Sequence, residues 1–184
     1  MFDDGFSPNA LSKFNTPVIF LIAMVNDDPA VAMAFSKEAK ARDEELTLVH
    51  MHHLGFVQTT VLHSASRNKS PAMLKHFIEL GADIDLRDER ERTPLHAAPG
   101  YSEDPQTYSS LLDAGVDPNA KDALGWTALH QTTRFSKNPE IFRILVEKGA
   151  DVNARTDSGR TPLWIAENYR DKSVVDLLRS LGAE

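Results

Sequence analysis

The chain has 184 residues, a formal charge of −7 at neutral pH and no cysteine. The acidic balance argues against a nucleic-acid backbone as the main partner, which would need a basic face. The lack of cysteine excludes a disulfide framework and a thiolate metal site, and 41% hydrophobic with 26% charged residues is the composition of a soluble folded chain, neither disordered nor membrane-embedded.

Met1 to Gly5 holds no basic stretch leading into an apolar segment, so no secretory leader is expected. The longest apolar run, Val18 to Val25, is too short to cross a bilayer and is stopped by Asn26-Asp27-Asp28-Pro29. It is expected as a buried helix, and the chain as cytoplasmic with no membrane partner. Residues 1–15, anchored by Phe2, Phe6 and Phe14, are expected to fold as an N-terminal cap. A first helical unit is expected from Thr16-Pro17, with Val18, Ile19, Leu21 and Ile22 inward and Asp28-Pro29 opening a second helix. The pattern breaks over about residues 43–59. There Leu46, Leu48 and His50 alternate with Thr47, Val49 and Met51, as in an extended hairpin or an irregular connector. His50 and His52 would share one face of a strand, beside His53, an arrangement open to zinc or nickel. Nothing in the sequence fixes a third ligand. A solvated or partner-facing loop is the favoured reading, and no metal or cofactor is assigned.

From Thr60 onward one unit recurs. Thr60-Val61-Leu62-His63, Thr93-Pro94-Leu95-His96-Ala97-Ala98, Thr127-Ala128-Leu129-His130 and Thr161-Pro162-Leu163-Trp164 start 33, 34 and 34 residues apart. Gly81-Ala82-Asp83, Gly115-Val116-Asp117, Gly149-Ala150-Asp151 and Gly182-Ala183-Glu184 keep the same beat. The threonine hydroxyl can cap free amides and proline is preorganised at the first helical position, so each unit opens an inner helix. Ser70-Pro71, Asp104-Pro105 and Asn138-Pro139 then open outer helices. Their apolar faces (Met73, Leu74, Phe77 and Ile78; Leu111 and Leu112; Ile141, Ile144 and Leu145; Val174, Val175, Leu177 and Leu178) have helical spacing. Each is expected to end on its glycine, the residue best suited to a left-handed cap.

This pattern resembles the ankyrin repeat, which has a T-P-L-H-x-A signature and a period of about 33 residues. The resemblance implies an all-α solenoid of about five helix-turn-helix repeats with short β-hairpin loops projecting from the helices. It gives four clear repeats, from Thr60, Thr93, Thr127 and Thr161, and a degenerate fifth from Thr16. Together they make one repeat domain over residues 16–184 behind the 1–15 extension, with the irregular connector at about 43–59. Polar Arg170, Asp171, Lys172 and Arg179 mark the last repeat as a terminal cap. The resemblance also makes His63, His96 and His130 hydrogen-bonding residues within and between repeats rather than metal ligands, with Trp164 replacing the histidine in the fourth. Asn119 and Asn153 sit where eukaryotic members can be hydroxylated, although a turn role is sufficient for them.

The sequence contains no Gly-x-Ser-x-Gly elbow, phosphate-binding loop or dinucleotide fingerprint, so no catalytic residue is assigned and the chain is read as a non-enzyme. Ankyrin proteins generally bind through hairpin tips and the exposed side of the inner helices. The residue before each signature threonine is Thr59, Arg92, Trp126 or Arg160, and the residue eight places after it is Asn68, Tyr101, Phe135 or Tyr169. With Arg90, Leu124 and Arg134 on the same side, aromatics interleave with arginines as in an interface hot spot. The competing reading packs these rings against neighbouring loops, Tyr101 beside Gly100 above all. The expected partner-binding set is Arg90, Arg92, Tyr101, Leu124, Trp126, Arg134, Phe135, Arg160 and Tyr169, with Trp126 substantially exposed as an anchor. The expected function is non-enzymatic protein–protein interaction in which the chain masks or inhibits a partner protein, an enzyme or toxin, as an immunity protein does. Two alternatives stand beside it. One is a small-ligand or oligonucleotide sensor, with Trp126, Phe135 and Tyr169 stacking bases and Arg92, Arg134 and Arg160 meeting phosphates. The other is a metal-dependent enzyme centred on His50, His52 and His53.

Overall fold

The computed structural model describes residues 61–67, 71–79 and 81–184. These form eight helices in four pairs: α1 (Val61–Ser66) with α2 (Pro71–Glu79), α3 (Pro94–Ala97) with α4 (Pro105–Asp113), α5 (Ala128–Phe135) with α6 (Pro139–Glu147), and α7 (Pro162–Tyr169) with α8 (Lys172–Ser180). Inner helices α1, α3, α5 and α7 pack in series, and outer helices α2, α4, α6 and α8 form a second row behind them. The fold is an all-α repeat solenoid. The expected N-terminal cap, the fifth repeat at Thr16 and the 43–59 connector with His50, His52 and His53 lie outside the described residues. Among those described, no helix is long and apolar enough to cross a membrane.

Local chemistry sets the helix ends. The Asp104 and Asn138 side chains accept from the amides of Gln106 and Glu140, ahead of prolines that need no donor of their own. Thr161 accepts from Trp164 N–H at 3.1 Å. At the other end Gly115 and Gly149 have φ of 104° and 95°. That lets Val116 and Ala150 reach back to the Leu111 and Leu145 carbonyls at 3.1 and 2.9 Å, the six-to-one bond of a glycine-terminated helix. The same residues feed the core: Leu62, Leu74, Phe77, Leu95, Leu111, Leu129, Leu145 and Leu178 are buried between the rows.

Polar side chains bind each repeat to the next. Asn119 donates to the Gly149 carbonyl (2.8 Å) and accepts from Asp151 N–H (2.7 Å). Asn153 repeats both contacts with Gly182 and Glu184. Both asparagines therefore hold backbone in adjacent repeats. Across the stack, Ser136 donates to the Glu103 carboxylate, and the Arg170 guanidinium donates to the carbonyls of Arg134 and Ser136.

The hairpins are turns rather than ladders, and no described residue lies in a strand. Each is closed by two backbone bonds: Asp88 N–H to Arg92 O with Glu91 N–H to Asp88 O, Asp122 N–H to Trp126 O with Gly125 N–H to Asp122 O, and Thr156 N–H to Arg160 O with Gly159 N–H to Thr156 O. Asp122 Oδ1 also accepts from the amides of Leu124 and Trp126, both at 2.9 Å. Successive tips join through Ala123 N–H to Arg90 O (2.9 Å) and Asp157 N–H to Leu124 O (3.2 Å). Five-residue turns are too short for paired strands, so tip-to-tip bonds align the row instead.

Candidate partner-binding face

The inner helices divide their side chains between a buried clamp and an exposed row. In the clamp, Nδ1 of His96 accepts from Thr93 N–H at 3.2 Å, so its proton sits on Nε2, which donates to the Trp126 carbonyl at 2.9 Å. His130 does the same with Thr127 N–H and the Arg160 carbonyl (3.2 and 3.1 Å), and His63 Nε2 donates to the Arg92 carbonyl at 2.7 Å. A carbonyl can only accept, which fixes the donor in each case. Each histidine thus holds the last residue of the next hairpin and sets that hairpin's position over the inner helices. Burial disfavours the imidazolium: it lowers His63 to about 4 and pushes His96 and His130 down, against the opposing pull of their carbonyl bonds.

Above the clamp lies the exposed row. Tyr101 (62% exposed), Phe135 (49%) and Tyr169 (60%) stand at or just beyond the C-terminal ends of α3, α5 and α7, and Leu124 (67%) lies at the tip of the Asp122–Trp126 hairpin. Arg90, Arg134 and Arg160 are exposed on the same elements. The Arg134 guanidinium lies 5.6 Å from the Phe135 ring centroid and 5.9 Å from that of Tyr169, so one cation serves rings of two repeats. A Cβ on Gly100 would meet Phe135 at 3.5 Å, which brings the loop carrying Tyr101 against the next ring of the row.

Two expected residues behave differently. Arg92 turns back onto buried Asp88, 2.6 Å away, and serves its own hairpin. Burial pushes the Asp88 carboxyl up, but the hydrogen bonds and charge of Arg92 outweigh that and hold it below the usual carboxylate range. Trp126, expected to be substantially exposed, is half-buried, its ring 5.8 Å from that of His130. It covers the clamp at least as much as it faces outward.

Two residues outside the expected set join the face. Arg67 lies 5.4 Å over the Tyr101 ring. Half-buried Trp164 sits under Arg160 (4.5 Å) and edge-on to Tyr169 (5.9 Å). Periodicity could have found Arg67, because it stands seven places after Thr60 as Arg134 stands seven after Thr127. Trp164 occupies the histidine register, where it was read only as a replacement. Among the described residues, no three histidine, aspartate or glutamate side chains converge as a metal site would require.

Repeated helix pairs, a buried histidine clamp and one exposed variable row define a repeat-built recognition protein. Residues 100–184 match the family described as ankyrin repeats (3 copies), and residues 58–89 match the ankyrin repeat itself. The chain belongs to the ankyrin-repeat family. A search of curated proteins returns no match. Ankyrin repeats generally mediate protein–protein interaction and are typically non-enzymatic modules.

Proposed function

We propose that this chain, working in the cytoplasm, recognises a partner protein through its hairpin tips and the exposed ends of its inner helices, and masks or inhibits that partner by covering its surface. One observation carries the reading. The four large hydrophobic side chains exposed among the described residues, Tyr101, Leu124, Phe135 and Tyr169, all belong to this one face. Packing does not require them, since their helices bury other residues, and clustered exposed aromatics beside arginines are the usual makings of an interface hot spot. Masking is the simplest consequence of such binding, because a partner seated on this face has that part of its own surface covered.

Purification of the tagged chain from its native host, with mass spectrometry of what co-purifies, tests the proposal. Phe135→Ala with Tyr169→Ala should lose the captured protein while leaving thermal unfolding nearly unchanged. If the partner is an enzyme, wild-type chain should suppress its activity in stoichiometric mixture. Retention of the partner by the double variant would remove this face from the interface, and capture without any loss of partner activity would remove the masking role.

A further inference from the structure

The strip formed by Arg67 with Tyr101, Arg134 with Phe135 and Tyr169, and Arg160 with Trp164 is a cationic surface on an acidic protein. Of the other described arginines, Arg92, Arg143 and Arg179 pair with Asp88, Glu140 and Glu167, Arg87, Arg155 and Arg170 donate to backbone carbonyls, and Arg90 stands exposed on a hairpin of the same face. Arg67, Arg134 and Arg160 have no carboxylate partner among the described residues, and each lies within 4.5 to 5.9 Å of an aromatic ring centroid. A ring beside a guanidinium restrains it without using its N–H donors, which stay able to take a carboxylate in a two-pronged pair. Burial of Arg67 without an ion pair acts against its charge, as does the neighbouring charge of Arg92. An anion arriving there would relieve both.

We infer that this strip takes an extended acidic segment of the partner protein, its carboxylates meeting Arg67, Arg134 and Arg160 in turn while the rings beside them receive the intervening apolar side chains. This rests on the reading of the face given above and narrows it. Inner helices pack roughly 8–10 Å apart, which is close to the rise of three residues of extended chain at about 3.3 Å each. An acidic residue at every third position therefore places one carboxylate at each repeat, and Arg67 and Arg134, at one register two repeats apart, meet alternate ones. Nucleic acid fits less well. The Phe135 and Tyr169 ring faces are already engaged by Arg134, which leaves less room for stacked bases, and the cations are few and spaced apart where a nucleic-acid backbone presents a charge at every nucleotide.

Synthetic end-blocked peptides with Glu at every third position and Leu or Ala between are the probe, read by fluorescence anisotropy against the full chain. Matched peptides carry Lys, or Glu at every second position, and a single-stranded oligothymidylate serves as the nucleic-acid arm. The every-third Glu peptide should bind about tenfold or more tighter than either control peptide, and its affinity should fall as salt rises. Arg134→Gln with Arg160→Gln should weaken it about tenfold or more, with circular dichroism and thermal unfolding unchanged. Equal binding of Glu and Lys peptides, no binding of any peptide, or tighter binding of the oligothymidylate would each overturn the inference. The two readings separate in the native-host capture. A partner lost with Phe135→Ala and Tyr169→Ala but kept with Arg134→Gln and Arg160→Gln leaves the face standing and removes the acidic segment. A partner kept by both variants removes both.

Discussion

Two sides of the same inner helix follow different rules. On one, His96 and His130 are buried and bonded at both ring nitrogens, and their neighbours Leu95 and Leu129 are sealed in the core. On the other, Phe135 and Tyr169 leave about half or more of their surface open and touch Arg134, Trp164 and the loop at Gly100. The first side repeats because every repeat must solve one problem, which is to hold the next hairpin. The second is free to vary because nothing in the stack depends on it. Stability and recognition are thus written in different registers of one period, and substitutions can probe them separately.

The largest contrast should come from the core. Leu129→Ala removes a fully buried side chain between two flanking repeats and should lower unfolding free energy by roughly 2–5 kcal/mol. Leu163, at the same register of the last helix pair and 7% exposed, should lose less, because one side of its repeat is less enclosed. Chemical denaturation of both variants gives the comparison. A larger loss at Leu163 would show that the stack is not most tightly held at its third repeat.

Acid should attack the clamp before anything else. The native state favours neutral His63, His96 and His130 relative to the unfolded value of 6.5, so the unfolded chain binds more protons. Stability is then complete above about pH 6.5 and is lost as pH falls toward the folded values. For His63, lowered to about 4, the full loss amounts to about 3 kcal/mol. Asp88 is lowered as well, so its contribution is also lost as pH falls, but only below its ordinary value of 3.8. Urea unfolding from about pH 7 down to about pH 4.5 therefore isolates the histidines. His130→Gln should flatten the profile, and a wild-type profile already flat over that range would contradict the neutral clamp.

Much of this scaffold was legible in the sequence. The threonine, proline and glycine positions act through local backbone chemistry, so their spacing alone gave the helix pairs, their ends and the hairpin sites. The exposed row was legible too, because Tyr101, Phe135 and Tyr169 sit at a register with no packing duty. What sequence could not show was how side chains choose between neighbours. Arg92 and Arg160 share a register, yet Arg92 meets Asp88 within its own hairpin while Arg160 has Thr156 at that place and turns to Trp164 instead. Trp126 looked like an anchor because tryptophan often is one, but a large ring beside a buried imidazole gains more from covering it. Each of these contacts joins residues four apart, so spacing alone offers the pair but does not say which side chain will turn to it.

The hairpins offer a smaller and finer test. Gly125 and Gly159 occupy one register with φ of 74° and 77°. A Cβ on Gly125 would fall 2.6 Å from the Asp157 backbone nitrogen, whereas one on Gly159 would meet nothing within 4 Å. Gly159→Ala should cost only the left-handed strain, about 1 kcal/mol, and Gly125→Ala that plus the displacement of the next hairpin, roughly 2–3 kcal/mol. Thermal unfolding of the pair decides it. Equal losses would mean that the tips are not in contact.

Glu91 stands at that same register in the second repeat, with φ of 57°, the one non-glycine residue with positive φ among those described. Its side chain is exposed and makes no ion pair there, while its carbonyl accepts from Arg87 at 2.9 Å. Glutamate in this conformation carries a strain that glycine would not, so the scaffold register here holds a residue the scaffold does not favour. Glu91→Gly should stabilise the chain, but the greater freedom of glycine when unfolded offsets part of the relief. The net gain should be about 1 kcal/mol or less, measured as a rise in thermal midpoint with the hairpin bond from Asp88 to Arg92 intact. If the midpoint falls, the Glu91 side chain contributes to folding and belongs with the clamp. If it rises while partner binding weakens, Glu91 belongs with the exposed row, and recognition has displaced a structural glycine at this one tip.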